Sequence, residues 1–302
     1  MEMTINAFTK KCRLLQCAFR EELNEPMGVG PWRTSKNKQI SMIADGEVTG
    51  KNFVNEFVFG YAKQRVENKL PNETIDEYRL FNNLLSSQPM AFNLFCPLIS
   101  MLERGLQNVV DSIVSAIFPN FDICTVTKVE LEYLHTDVEN YLNDKTAMDA
   151  IIRYTDHEGL PCFIAIETKY TDVLGLNSAR NTAKQKTLIK ELGYFKTDSE
   201  DALLNGDKEI SQIYRNFLLT ECYRIKEPAH EAYSVVLAPA EHPTTMEEVS
   251  SLKEELKPEY QYKLHAVTLE YFVEKAIQNC PEEERTVFEW FYNRYLAFDK
   301  LT

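Results

Sequence analysis

The 302-residue sequence predicts an α/β fold, a mixed β-sheet flanked by helices. Helix-like segments precede three strand-like runs at 123–134, 147–155 and 161–170, and further helical segments follow them. Two more apolar runs, 232–237 and 262–267, are separated by a helix-like stretch at 244–256, the spacing of a crossover between parallel strands.

Each element has its own signal. Phe8, Cys12, Leu15 and Phe19 recur at helical spacing, so residues 8–23 read as an amphipathic helix. The glycines and prolines between Pro26 and Pro31 end it in a loop. Helices are predicted over 55–69, 74–86 and 100–117 before the strands, and over 181–195 and 208–225 after them. Phe288, Trp290, Phe291 and Tyr295 close the chain as an aromatic helix suited to a core. Residues 1–73 read as a helical N-terminal extension and 74–302 as the main domain. Trp32-Arg33 with Lys36 and Lys38 is too small a basic cluster to assign the extension a role.

The middle of the chain carries the chemistry. Asp149 lies in the run Ala147 to Tyr154, and Glu167 and Lys169 lie in the run Cys162 to Tyr170, both rich in β-branched and aromatic residues. Asp156-His157-Glu158-Gly159-Leu160 between them is hairpin-loop chemistry, with Gly159 free to take positive φ. With that loop, Thr155 faces Pro161, and the register sets Asp149 opposite Glu167 on one face. Glu167 and Lys169, two apart, share that face at about 6.5 to 7 Å, and Thr168 points to the core. Two carboxylates so close repel unless a proton, a cation or a metal ion neutralises them, and Lys169 offsets only part of the charge. Mg²⁺, with Mn²⁺ as a substitute, takes such oxygen ligands and leaves positions for water and a phosphate oxygen. The plainer reading is a salt-bridged hairpin end. Glu67-Asn68-Lys69 and Glu255-Leu256-Lys257 have the same spacing in polar, helix-like sequence, so only the context of Glu167 gives it weight.

These residues resemble the PD-(D/E)XK nuclease superfamily. Asp149 matches the motif's Asp and Glu167-Thr168-Lys169 its (D/E)XK, whereas Met148 stands in place of the Pro. A wider resemblance, to a family of bacterial restriction-endonuclease-like proteins, runs through Asn52-Phe53-Val54, Leu84 to Gln88, Phe92 to Phe95, Glu132, Asp144 to Asp149 and Gln212 to Leu219. It implies a restriction-endonuclease-like core and cleavage of DNA with Mg²⁺. It further implies Asp149 and Glu167 as metal ligands, the Thr168 carbonyl as a third, and Lys169 to position or activate the attacking water. Action as a homodimer is a further implication, while a partner subunit that brings the DNA is an expectation raised by the acidic net charge.

Five residues stand behind this set with open roles. Glu132, on the run before the hairpin, either adds a carboxylate to the site or forms a strand-end ion pair. Gln212 and Arg215 share a helix face, where they either contact a phosphate, hold Glu167, or simply face solvent. Asp144 reads as a turn cap, and Gln88 is open.

Composition bounds the rest. No apolar stretch reaches the eighteen or so residues of a membrane span, and the start Met1 to Asn6 has no signal character, which together give a cytoplasmic expectation. The seven cysteines show no Cys-x-x-Cys pair, and several, including Cys124 and Cys162 in strand-like runs, read as buried thiols; five scattered histidines argue against zinc. The net charge of −13 weighs against a nucleic-acid partner. The acidic residues crowd into 247–255 and 282–284, while Arg180, Lys184, Lys186 and Lys190 follow the proposed active strand, either beside a DNA cleft or on a solvated helix face. The expected function is therefore a Mg²⁺-dependent DNA endonuclease, in restriction or defence. The alternative is a nuclease-fold DNA-binding or interaction subunit that does not cut.

Overall fold

Runs rich in apolar, β-branched and aromatic residues, joined at β2–β3 by a well-formed turn, become the central strands: Thr125–Tyr133 (β1), Met148–Thr155 (β2) and Pro161–Thr168 (β3). The computed structural model describes residues 3–29, 40–69, 73, 75–172, 176–177, 181–207 and 210–301. Trp32, Arg33, Lys36, Lys38, Thr74 and Arg180, named above, lie outside them. The expected hairpin register holds from Thr155↔Pro161 to Ala150↔Ile166, with Gly159 at φ 80° in the turn. The Asp156 side chain closes that turn by accepting from Glu158 N and Leu160 N.

β1 pairs antiparallel with β2, and β2 with β3. Glu231–Ala238 (β6) then adds parallel to β3, and Leu264–Thr268 (β7) parallel to β6, giving the order β1-β2-β3-β6-β7. A separate two-residue pair joins Leu176–Asn177 (β4) to Ile210–Ser211 (β5). Helix Thr245–Glu255 (α10) and a 3-10 turn, Pro258–Lys263, make the crossover between β6 and β7, as expected from the spacing. β3 is buried at every position after Pro161, which explains its continuous apolar run.

Before the sheet come Ile5–Glu22 (α1), Gly46–Thr49 (α2), Glu56–Glu67 (α3), Glu77–Asn82 (α4), Ser87–Glu103 (α5) and Gln107–Ile117 (α6). The helix expected over 100–117 is two helices, parted at Gly105, whose φ of 77° breaks the first. The expected segment 74–86 is helical only over Glu77–Asn82. After β3 come Ala183–Leu192 (α7), Thr197–Asn205 (α8) and Gln212–Lys226 (α9), and the chain closes with Leu269–Asn279 (α11) and Glu282–Tyr295 (α12). Helices α2, α8 and α11, and α5 before Ser100, were not anticipated.

One apolar cluster joins Ile152, Ile164, Ile166 and Val235 of the sheet to α1, α5, α6, α11 and α12. On the other face Ile151, Phe163, Ala165 and Val236 pack against α7, α9 and α10. The first cluster holds a buried polar knot. Arg294, 1% exposed, donates to the carbonyl and side-chain oxygens of Asn52 and lies against the rings of Phe19, Trp290 and Tyr295. Gln16 of α1 donates to the Arg294 carbonyl (2.8 Å) and to Tyr170 Oη (3.1 Å), and Tyr170 donates to the Tyr295 carbonyl (3.2 Å). Among the described residues, no helix is long and apolar enough to cross a membrane.

Candidate active site

The ends of β1, β2 and β3 and the start of α9 surround a polar cleft of about 450 Å³. Its lining includes Asp149, Glu167, Lys169, Glu132, Gln88 and Gln212, so the structure brings together six of the nine residues singled out from the sequence. Glu132, Glu167 and Lys169 are only 4–6% exposed. Thr168 joins them through a hydrogen bond, and Asp144 and Arg215 form a separate pair beside the cleft.

Backbone pairing explains the convergence, with one departure from expectation. The β2–β3 ladder stops at Ala150↔Ile166, one pair short of Asp149 and Glu167. Asp149 Oδ2 instead accepts from the Thr168 amide (2.6 Å) and hydroxyl (2.7 Å), so the carboxylate substitutes for a backbone acceptor. The Thr168 hydroxyl therefore turns to Asp149, where the sequence had it facing the core.

Glu167 is held from both sides. Its Oε1 meets Lys169 Nζ at 2.7 Å and Gln212 Nε2 at 2.7 Å, and its Oε2 accepts from Asn216 Nδ2 at 2.7 Å. Gln212 Oε1 also accepts from Lys169 Nζ at 2.9 Å, so one amide orients both charged groups. The Ser211 side chain caps α9 by accepting from Tyr214 N, which fixes the first turn and aims Gln212 and Asn216 at β3. Asn216 was missed in the sequence, although it lies one helical turn beyond Gln212 on the same face.

The electrostatics follow from crowding. Burial and the charges of Glu167 and Glu132 raise the Asp149 carboxyl well above the usual carboxylate range, against the opposing pull of Lys169. Burial, opposed by the Gln88 hydrogen bond and reinforced by the Glu167 charge, raises Glu132 to about 7. For Lys169, burial disfavours the charge, yet Glu167 and Asp149 outweigh it and hold the amine above its ordinary value. Lys169 is therefore an ammonium at neutral pH.

The supporting residues divide. Glu132 forms no strand-end ion pair among the described residues; its Oε1 accepts from Gln88 Nε2 at 2.9 Å inside the cleft. Arg215 does not reach Glu167. It grips Asp144, with Nη2 at 2.6 Å and Nε at 3.0 Å, and bonds Thr146 Oγ1 at 2.6 Å. Asp144 also caps its turn as expected, accepting from Thr146 N. Burial would raise Asp144, but the bonds from Arg215 and Thr146 outweigh it and hold its carboxyl low. Arg215→Ala is expected to lower unfolding stability by about 1–3 kcal/mol, since it strands a buried carboxylate. Urea unfolding curves measure this, and an unchanged midpoint would exclude a stabilising role for the pair.

The cleft walls carry two more cations. Lys145 is exposed, and Arg79 stands 3.8 Å from Asp172. Lys184 of the basic run lines a different groove, with Tyr141, Leu188 and Ile225. At the opposite end of β3, ligand atoms of Asp156, Cys162 and His230 lie within 4.8 Å of one another, a grouping hidden by the scatter of histidines in the sequence.

A mixed sheet of this order, flanked by helices, is the α/β architecture of restriction-endonuclease-like proteins. Residues 4–297 match the family model described as the PD-(D/E)XK nuclease superfamily, and the chain belongs to that superfamily. No curated protein and no solved structure is significantly similar to it.

Proposed function

We propose that the protein is a Mg²⁺-dependent endonuclease that hydrolyses DNA phosphodiester bonds, acting in the cytoplasm in restriction or defence against foreign DNA, alone, as a homodimer or with a partner subunit. The observation that carries this reading is the junction of Glu167, Lys169 and Gln212 beside Asp149 in one cleft. A hairpin end held by a simple salt bridge has no need of a shared amide or of a second carboxylate.

The donor set fits a hard divalent cation. Its atoms are oxygens, and burial together with the neighbouring carboxylates raises the Asp149 and Glu132 carboxyls, a crowding that a divalent cation would relieve. Among the described residues, Asp149 Oδ1 has no hydrogen-bond donor and Glu167 Oε2 has a single one. Asp149, Glu167 and the Thr168 carbonyl are the assigned ligands. When bound, a divalent cation supplies charge stabilisation at the phosphate and a more acidic water.

The chain's own groups do the positioning. Thr168 fixes one oxygen of Asp149 and leaves the other for the cleft. Gln212 and Asn216 fix Glu167. Lys169, as an ammonium, donates hydrogen bonds that hold the attacking water or stabilise charge on the phosphate. Lys145 and Arg79 on the walls are placed to meet neighbouring phosphates, which partly answers the unfavourable net charge.

The purified protein is expected to cut duplex DNA with Mg²⁺ or Mn²⁺ and to be silent in EDTA. The net charge of −13 favours the second reading, an interaction subunit that does not cut. Inactivity with both metals, on supercoiled, linear and single-stranded DNA alike, would decide for it.

A further inference from the structure

We propose that the end of β3 far from the cleft holds a zinc ion, bound by the Asp156 carboxylate, the Cys162 thiolate and His230 Nδ1, with water in the fourth position. Ligand atoms of these three residues lie within 4.8 Å of one another. Cys162 and Glu167 stand near opposite ends of β3, about 17 Å apart along the strand. The site therefore shares nothing with the cleft and does not rest on the nuclease reading.

Three stretches of chain deliver the donors, and hydrogen bonds to the main chain fix where each one stands. Asp156 opens the β2–β3 turn, where its Oδ1 accepts from Glu158 N at 3.0 Å and Leu160 N at 2.8 Å, and its own amide donates to the Leu160 carbonyl at 3.0 Å. The turn occupies Oδ1 and leaves Oδ2 to the group. Cys162 follows on β3, paired with Glu231 in the parallel ladder to β6. His230 leads into β6, and its amide donates to the Pro161 carbonyl at 2.7 Å, which seats the imidazole beside the other two. His157 in the turn takes no part, since its Nδ1 lies 2.6 Å from Asp122 Oδ1.

Spacing and chemistry then select the ion. Asp156 Oδ2 is the common neighbour, 2.9 Å from His230 Nδ1 and 3.8 Å from Cys162 Sγ. Ligand atoms around a tetrahedral zinc stand about 3.3 to 3.6 Å apart, so side-chain shifts of about 1 Å admit it. The sulfur is poorly satisfied without one, because its contacts to Asp156 Oδ2 and the Leu160 carbonyl, at 3.8 and 3.7 Å, are at the outer limit of a thiol hydrogen bond. Cys162 and Asp156 are 4% and 5% exposed, whereas the His230 side chain is 56% exposed, so the group is anchored inside and reached from solvent. A thiolate and a carboxylate carry two negative charges and a neutral imidazole none, which matches a divalent ion, and the sulfur and nitrogen donors favour zinc over Mg²⁺. The Leu160 amide holds the Asp156 carboxyl low and hence ionised, while burial raises the Cys162 thiol. Binding therefore releases the thiol proton to solvent as the sulfur–zinc bond forms, and His230 binds as its Nε2–H tautomer. With two ligands on the hairpin and one on the lead-in to β6, the ion acts as a clasp between them.

The test is titration of the chelator-stripped protein with Co²⁺ and then Zn²⁺, in an Asp149→Asn background that disables the cleft. One Co²⁺ per chain is expected, with the near-ultraviolet charge-transfer band of a thiolate ligand, displaced by Zn²⁺ and unaffected by excess Mg²⁺. Adding Cys162→Ser is expected to abolish the band, and adding His230→Ala to weaken Zn²⁺ binding by about 100-fold. Zn²⁺ is also expected to raise the melting temperature of the Asp149→Asn protein and not that of its His230→Ala derivative, whose change lies at an exposed side chain and whose melting curve shows that it is folded. No thiolate band at saturating Co²⁺, or a band and affinity unchanged by both substitutions, overturns the site. Cutting by the wild-type protein with Mg²⁺ is read separately, so failure of the clasp leaves the nuclease reading standing.

Discussion

Lys169→Met is expected to slow metal-dependent cleavage by about 10²- to 10⁴-fold while leaving Mn²⁺ binding intact or tighter. Methionine preserves the stem's volume in a site that is 6% exposed, so packing is largely kept. The change removes one positive charge 2.7 Å from Glu167 and the hydrogen bond to Gln212. With that charge gone, the carboxylates attract a cation more strongly, but nothing holds the attacking water or the phosphate. Single-turnover cleavage beside a Mn²⁺ titration separates the two effects. Asp149→Asn is the contrasting case, and it loses both binding and cutting. A Lys169→Met protein that cuts at the wild-type rate would remove Lys169 from the chemistry, whatever its contacts. Because the neighbouring carboxylates hold the amine above its ordinary value, its contribution is that of a donor rather than a base.

The metal-free protein is expected to lose stability as pH rises from about 4.5 to about 7, and divalent metal to reverse the trend. The Glu132 carboxyl moves from an ordinary 4.5 to about 7 in the folded chain, chiefly through burial. Between those values the folded state holds more protons than the unfolded one, so its advantage is present at low pH and lost on the way up. The Glu132 difference alone corresponds to about 3 kcal/mol, and Asp149 shifts in the same direction. Metal ligands bind in the deprotonated form, so Mn²⁺ binding releases protons and strengthens with pH through the same window. Urea unfolding at pH 5.5 and 8, in EDTA and in Mn²⁺, gives the four values required. Equal metal-free stability at both pH values would show that the carboxylates are not crowded in solution.

The hairpin was legible because each step in it is local. Side chains alternate with period two, Gly159 supplies the turn, and the register follows from the loop length. Glu167 and Lys169 share a face by the same alternation. Helix α5 was not legible as a helix because almost all of it is buried, Pro89 to Ile99 on every side, so the sequence shows no polar face to set a helical period. The supporting contacts were hidden for a different reason. Gln88 meets Glu132 across 44 residues, Gln212 meets Glu167 across 45, and Arg215 meets Asp144 across 71, and no local pattern records such pairings. Gln212 and Arg215 share a helix face in the sequence, but the neighbouring strands divide them between two carboxylates. The early end of the β2–β3 ladder is of the same kind, since only the fold shows that an Asp149 oxygen replaces a carbonyl there.

Tyr170, the residue after Lys169, is anchored by Gln16 from the first helix and by the Tyr295 carbonyl from the last, and Gln16 also grips Arg294 across 278 residues. Contacts of such sequence separation close late. A chain emerging from the ribosome has β3 in hand long before α12 exists to seat Tyr170. The backbone that carries Lys169 is therefore expected to settle only once α12 is made, so the candidate site is complete only in a chain that has passed Tyr295.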